Sequence, residues 1–134
     1  MFCLDTNIVI GIMNGRAHAA EMRFRQTIGR VPVMVSSVVI FKLQYGYAKS
    51  DRRARMEALL AIFLAPGVEV LPFDSEDAVE ASDIRAALES KGTPIGPYDL
   101  LIAAQARRRG ATLVTLNRSE FARVPGLSVT DWAE

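Results

Sequence analysis

Four short stretches carry side chains that could do chemistry together: Asp5, Ser36-Ser37, Asp99 and Thr115-Leu116-Asn117. Asp5 follows the apolar run Phe2-Cys3-Leu4, and Ser36-Ser37 follow Val33-Met34-Val35. Thr115-Leu116-Asn117 close a run that starts at Thr112, and Asp99 falls in the first turn of a helix opened by Gly96-Pro97. Two carboxylates and an amide are oxygen donors, which suit hard ions such as Mg²⁺ or Mn²⁺. Such an ion can generate hydroxide and offset the charge of a phosphodiester displacement. Each residue also has an ordinary reading. Asp5 is a good N-cap, Asp99 complements a helix dipole, and Asn117 is a common turn residue. On the residues alone both readings stay open.

Composition narrows the alternatives. The chain has one histidine, His18, in a stretch that reads as helix surface. That argues against a histidine base, a catalytic triad or a zinc site. The single cysteine, Cys3, cannot form an internal disulfide and reads as a small buried residue of a first strand. Sixteen basic side chains against 15 acidic ones give no bulk drive toward nucleic acid. Contact with nucleic acid would need local patches, and Arg52, Arg53 and Arg55 and the run Arg107 to Arg109 are the clearest. Arginines ending a helix also complement its dipole. Phe41, Tyr45, Tyr47 and Phe63 could stack bases, although their helical spacing favours packing. No apolar run reaches the roughly 20 residues that span a bilayer. The start Met1-Phe2-Cys3-Leu4-Asp5 has no basic leader, so the expectation is a cytoplasmic protein without a membrane partner.

The elements that must position these residues alternate. Strands are expected over 2–4, 33–35, 68–73, 112–115 and 127–129. Asp5-Thr6-Asn7 read as a helix start, and further helices are expected over 16–29, 38–49 and 51–64, from Ser75 to about Ser90, and from Pro97 to Arg109. Residues 117–121 read as a turn or short helix. Alternation of this kind predicts an α/β fold, a central parallel sheet of four to five strands with helices on both faces. Sites in such sheets form beyond the carboxyl ends of the strands, near a switch in strand order. No repeat or linker divides the chain, so one domain over 1–134 is expected.

Longer motifs add to this. Leu4-Asp5-Thr6-Asn7, Ser36-Ser37-Val38-Val39 with Leu43 and Tyr45-Gly46, Gly92-Thr93-Pro94-Ile95-Gly96-Pro97-Tyr98-Asp99, and Thr112-Leu113-Val114-Thr115-Leu116-Asn117 with Glu120-Phe121 occur in order, and Val124-Pro125-Gly126-Leu127 continues the last. Together they resemble the blocks of PIN-domain endoribonucleases of the VapC-like toxin class. The resemblance implies a Mg²⁺- or Mn²⁺-dependent ribonuclease, with Asp5, Asp99 and Asn117 as catalytic and metal-holding residues and Thr6 and Thr115 as polar supports behind them. It also implies an RNA substrate, a cognate VapB-like antitoxin, a homodimer, a heterotetramer or larger assembly with the antitoxin, and contact with operator DNA only through that antitoxin. The apolar helices over 38–64 would be the antitoxin groove. A DNA-directed flap nuclease shares the fold but usually belongs to longer chains.

One position departs from the family pattern. The family block reads Glu-Leu-x-x-Gly, and here it reads Lys42-Leu43-Gln44-Tyr45-Gly46. A protonated lysine has no acceptor and cannot ligate a metal. Two unit charges about 4 Å apart interact by roughly 4 kcal/mol at an effective dielectric near 20. Lys42 is therefore expected to reduce or abolish activity, by repelling the ion or by pairing with Asp5 and Asp99 in its place. A non-catalytic module that binds antitoxin or RNA is the alternative.

Overall fold

The computed structural model describes residues 1–133; the last residue of the expected 1–134 span lies outside the described residues. In chain order the elements are β1 (Phe2–Leu4), α1 (Thr6–Met13), α2 (His18–Thr27), β2 (Val33–Ser36), α3 (Ser37–Ala48), α4 (Arg53–Leu64), β3 (Glu69–Leu71), α5 (Ser75–Ser90), α6 (Pro97–Arg108), β4 (Thr112–Val114), α7 (Arg118–Phe121) and β5 (Ser128–Thr130). The five strands form one sheet in the order β3-β2-β1-β4-β5, and every pairing is parallel. All four residues of β2 are buried, as are Cys3, Leu4, Leu113 and Val114. Burial of successive residues, whose side chains alternate between faces, means both faces of the central strands are covered. The expected α/β sheet with helices on both faces is what forms.

Strand order sets the site. From β1 the chain runs outward to β2 and β3, then returns to β4 on the other side of β1. The switch point therefore lies between the carboxyl ends of β1 and β4. Asp5 leaves the first of these strands and Thr115 the second.

Local chemistry explains most boundaries. Asp5 caps α1 by accepting from the Thr6 N–H at 2.8 Å, and Ser36 caps α3 by accepting from Val38 N–H at 2.9 Å. Asp74 and Asp77 cap α5 reciprocally. Pro97 occupies the first turn of α6, where a missing N–H costs nothing. Helix α2 starts two residues later than the expected 16, because the Arg16 and Ala17 N–H groups both turn back to the Gly11 carbonyl. A Cβ at Gly11 would stand 2.9 Å from Ala17 Cβ, so that tight turn needs glycine. Strand β3 is shorter than the expected 68–73. The Val68 N–H closes the end of α4, Pro72 has no N–H, and the Phe73 N–H goes to Ser37 Oγ. Strand β5 lies one residue later than expected.

Among the described residues no helix is long and apolar enough to cross a membrane. Cys3 is buried, and burial pushes its thiol up to about 11, so it behaves as a small core residue.

Candidate active site

The fold brings Asp5, Asp99 and Asn117 to the switch point, and adds Glu120 to them. Asp5 is only 6% exposed, and both its oxygens are held. Oδ1 accepts the Thr6 N–H, and Oδ2 accepts the Thr115 hydroxyl at 2.7 Å. Thr115 is fully buried, and its Oγ1 also accepts the Asn117 N–H at 3.0 Å. One hydroxyl thus ties the end of β1 to the loop after β4.

Glu120 enters from α7. Its Oε1 accepts the Gly96 N–H at 2.9 Å, and its Oε2 accepts from the Asn117 side-chain amide. Asp99 lies beside it, one turn into α6, and the two carboxyls share a hydrogen bond. Gly96 leaves room for this meeting. A Cβ there would stand 3.4 Å from Asp99 Oδ2 and 3.7 Å from Glu120 Oε1.

Charge crowding follows from the geometry. Burial, then the Glu120 and Asp5 carboxylates, push the Asp99 carboxyl up to about 6, and the Lys42 ammonium pulls weakly the other way. The Gly96 N–H, helped by the Asn117 amide, holds Glu120 below its ordinary value. Of the two, Asp99 is therefore the one that takes up a proton first as pH falls. Glu120 is the site residue that the sequence reading left without a role. The available signal was its place, with Phe121, in the motif that follows Asn117.

Lys42 projects from α3 at the rim of this cluster, half-buried between buried Val39 and Leu43. It lines a cleft of about 210 Å³ with Thr6, Ile10, Leu43, Met56 and Leu59, so the expected groove over 38–64 is also walled by α1. Lys42 makes no ion pair within 4.0 Å among the described residues. The expected close pairing with Asp5 and Asp99 is thus absent, and its charge is felt across space.

The donor chemistry fits a hard divalent cation. The groups are all oxygens, an excess of negative charge raises Asp99, and the Thr6 Oγ1 is buried without a hydrogen-bond partner beside Asp5. Against it stand Lys42 and the spacing, since no group of three acidic, histidine or cysteine side chains among the described residues is placed to enclose an ion.

The arginine runs resolve differently. Arg107 pairs with Glu80 at 2.6 Å, Arg108 with Asp74 at 2.7 Å, and Arg109 with Asp77 at 2.9 Å. They fasten α6 to α5 at the opposite end of α6 from Asp99, about 15 Å away along the helix. Arg53 pairs with Glu57 within α4. Tyr47 and Phe63 are core residues, whereas Phe41 and Tyr45 are exposed and continue to exposed Tyr98 through a ring contact of 5.7 Å.

This fold and site define a known class. The PIN domain model matches residues 2–127, and the chain belongs to that family. Within it, the chain is 39% identical over 131 residues to the tRNA(fMet)-specific endonuclease VapC of Salmonella typhimurium, covering 98% of this chain and 97% of that protein. It is similar in structure to DNA-bound VapBC from Salmonella typhimurium, with a TM-score of 0.89 and 39% identity over 98% of this chain and 97% of the other. VapBC2 from Rickettsia felis, bound to a promoter DNA fragment, gives a TM-score of 0.89 at 33% identity over 96% of each chain.

Proposed function

We propose that this chain is an endoribonuclease toxin of the VapC-like kind, neutralised by a cognate VapB-like antitoxin, whose activity is reduced or abolished by Lys42. The observation that carries this reading is the cluster of Asp5, Asp99 and Glu120 at the β1–β4 switch point, with Lys42 at its rim. Asp5 and Asp99 are the residues that would hold Mg²⁺ or Mn²⁺. Asn117 would hold the ion or its water through the side-chain oxygen that its bond to Glu120 leaves free. Such an ion, when bound, supplies charge neutralisation for the phosphodiester and acidifies water near it.

The chain's own residues prepare that chemistry. Thr115 and the Thr6 N–H fix the Asp5 carboxylate in one orientation, and Gly96 and Asn117 do the same for Glu120. Asp99, raised to about 6, is the member of the pair placed to exchange a proton with water or a leaving oxygen, while Glu120 stays a carboxylate beside it. Lys42 offsets part of the negative charge that would draw in a cation.

On this reading the whole span 1–134 acts as one PIN domain in the cytoplasm. It forms a homodimer, with exposed Phe41, Tyr45 and Tyr98 as the patch offered to a second copy. With antitoxin it forms a heterotetramer or larger assembly that meets operator DNA only through the antitoxin. The charge of Lys42 also favours a second reading, a non-catalytic module that binds antitoxin or RNA. Incubating this protein and its Lys42→Glu variant with cellular RNA, in Mg²⁺ or Mn²⁺ and in chelator, separates the two. Metal-dependent cleavage by the glutamate variant supports the toxin. No cleavage of any RNA by either protein favours the binding module.

A further inference from the structure

A cleft of about 550 Å³ starts beside the acidic site and follows α1 away from it. Asn7, directly after Thr6, and Leu116, between Thr115 and Asn117, line its near end. Arg16 and His18, where the chain turns from α1 into α2, line its far end. Between Asn7 and Asn14 a helix advances about 10 Å, which sets the scale of the cleft. Ile10 and Asn14 also line the Lys42 cleft, so they form the ridge between the two.

The far end is held in place by its backbone. The Arg16 N–H donates to the Gly11 carbonyl at 3.1 Å and to Asn14 Oδ1 at 3.0 Å, and Gly15 before it takes φ 74, where glycine is favoured. The Arg16 side chain is exposed and makes no ion pair within 4.0 Å among the described residues. Arg25 and Arg118, by contrast, are tied to Glu21 and Asp131. No acidic side chain among the described residues lines this cleft. Its walls include two exposed apolar side chains, Ile10 at 41% and Leu116 at 62%.

An acid-free cleft with an uncommitted guanidinium thus abuts a cluster of three carboxylates. That cluster repels the phosphates of an approaching strand, so a strand that reaches it must draw affinity from beside it. A guanidinium fork matches phosphate oxygens. The amides of Asn7 and Asn14 can bond a base edge or a ribose hydroxyl, and the apolar walls suit the face of an unstacked base.

We propose that this cleft is the subsite for a nucleotide neighbouring the scissile phosphate of a single-stranded RNA. Arg16 takes the phosphate of that nucleotide, and its base lies between Ile10 and Leu116. The proposal rests on the ribonuclease reading, and the test reads the two separately.

His18 is the only histidine of the chain, so its ring gives one isolated Cε1–H signal in a ¹³C–¹H spectrum. The full chain is titrated in chelator with a short single-stranded RNA, and binding is followed by fluorescence anisotropy. The His18 signal is expected to move and to saturate along the binding curve. Arg16→Ala should weaken binding about tenfold and lower the salt slope by about 0.7, the loss of one phosphate contact on a single strand. Arg16→Lys should restore the slope, and Arg85→Ala, in a paired arginine elsewhere, should change neither quantity. In parallel, Lys42→Glu is assayed for cleavage in Mn²⁺ with and without Arg16→Ala, which should raise KM about tenfold and leave kcat unchanged. Cleavage by Lys42→Glu, with KM indifferent to Arg16→Ala and the His18 signal unmoved by RNA, overturns the subsite and leaves the ribonuclease reading intact. RNA binding that moves His18 and needs Arg16, without cleavage by Lys42→Glu, upholds the cleft as an RNA site and removes the nuclease. Neither binding nor cleavage removes both.

Discussion

The Thr115 hydroxyl reaches the Asp5 carboxylate at 2.7 Å across 110 positions of sequence. That bond joins the two strands between which the sheet changes direction, and it is fully buried. It makes a specific claim about how Asp5 is oriented. Thr115→Val keeps the shape and removes the hydroxyl, so in the Lys42→Glu background cleavage should fall about 10–100-fold. Folding stability should drop by about 1–2 kcal/mol. Thr115→Ser should restore most of the rate, read as kcat at saturating metal. If valine cleaves as well as threonine, the hydroxyl does not orient Asp5.

Crowded carboxylates should cost stability when no cation is present. Asp99 is raised to about 6, so the folded state holds its proton more tightly than the unfolded chain does. Its contribution is favourable at low pH and is lost as pH rises from about 4 through 6. Asp99→Asn should therefore raise Tm in chelator at pH 7.5, by roughly 3–8 °C, and change it little at pH 4.5. Thermal scans of both proteins at the two pH values check this. An equal change at both would mean that packing, not charge, governs the position.

The opposite sign applies to Asp77. Burial alone would raise this carboxyl, but its hydrogen bond from Arg109, the Asp74 N–H and the charges of Arg109 and Arg108 outweigh burial and hold it below its ordinary value. The carboxylate receives Arg108 at 3.0 Å and Arg109 at 2.9 Å. Its stabilising effect is present above about pH 4 and is lost as pH falls below it through the depressed value. Asp77→Asn should cost about 3 kcal/mol at neutral pH and progressively less in acid. Urea unfolding at pH 7 and pH 3 measures the difference. A constant cost across that range would show that the amide's hydrogen bonds, not the charge, were at stake.

How much of this was written in the sequence depends on the range of the interaction. Asp5 and Asp99 were legible because each sits at an element boundary, where a strand end or first helical turn fixes its direction. The parallel sheet was legible from alternating elements, and the family blocks extended that reading over most of the chain. Glu120 was legible as part of a motif but its role was not, because that role rests on the Gly96 N–H, 24 positions away. The run Arg107 to Arg109 looked like a basic patch because its acidic partners lie on another helix, at separations of 27 to 34 positions. Phe41 and Tyr45 share a face four residues apart, but only packing decides that this face stays exposed while Tyr47 is buried. The distance at which Lys42 stands from the carboxylates was also out of reach, since a long flexible side chain has several positions compatible with one helix.

Lys42 carries the central claim, that its charge keeps a divalent cation from the cluster of Asp5, Asp99 and Glu120. The direct measurement is Mn²⁺ binding by calorimetry to this protein and to Lys42→Glu, at pH 7.5 and moderate salt. Replacing a nearby positive charge by a carboxylate should tighten binding at least about 100-fold. Equal affinity in the two proteins would contradict the account and leave Lys42 as a bystander at the rim of the site.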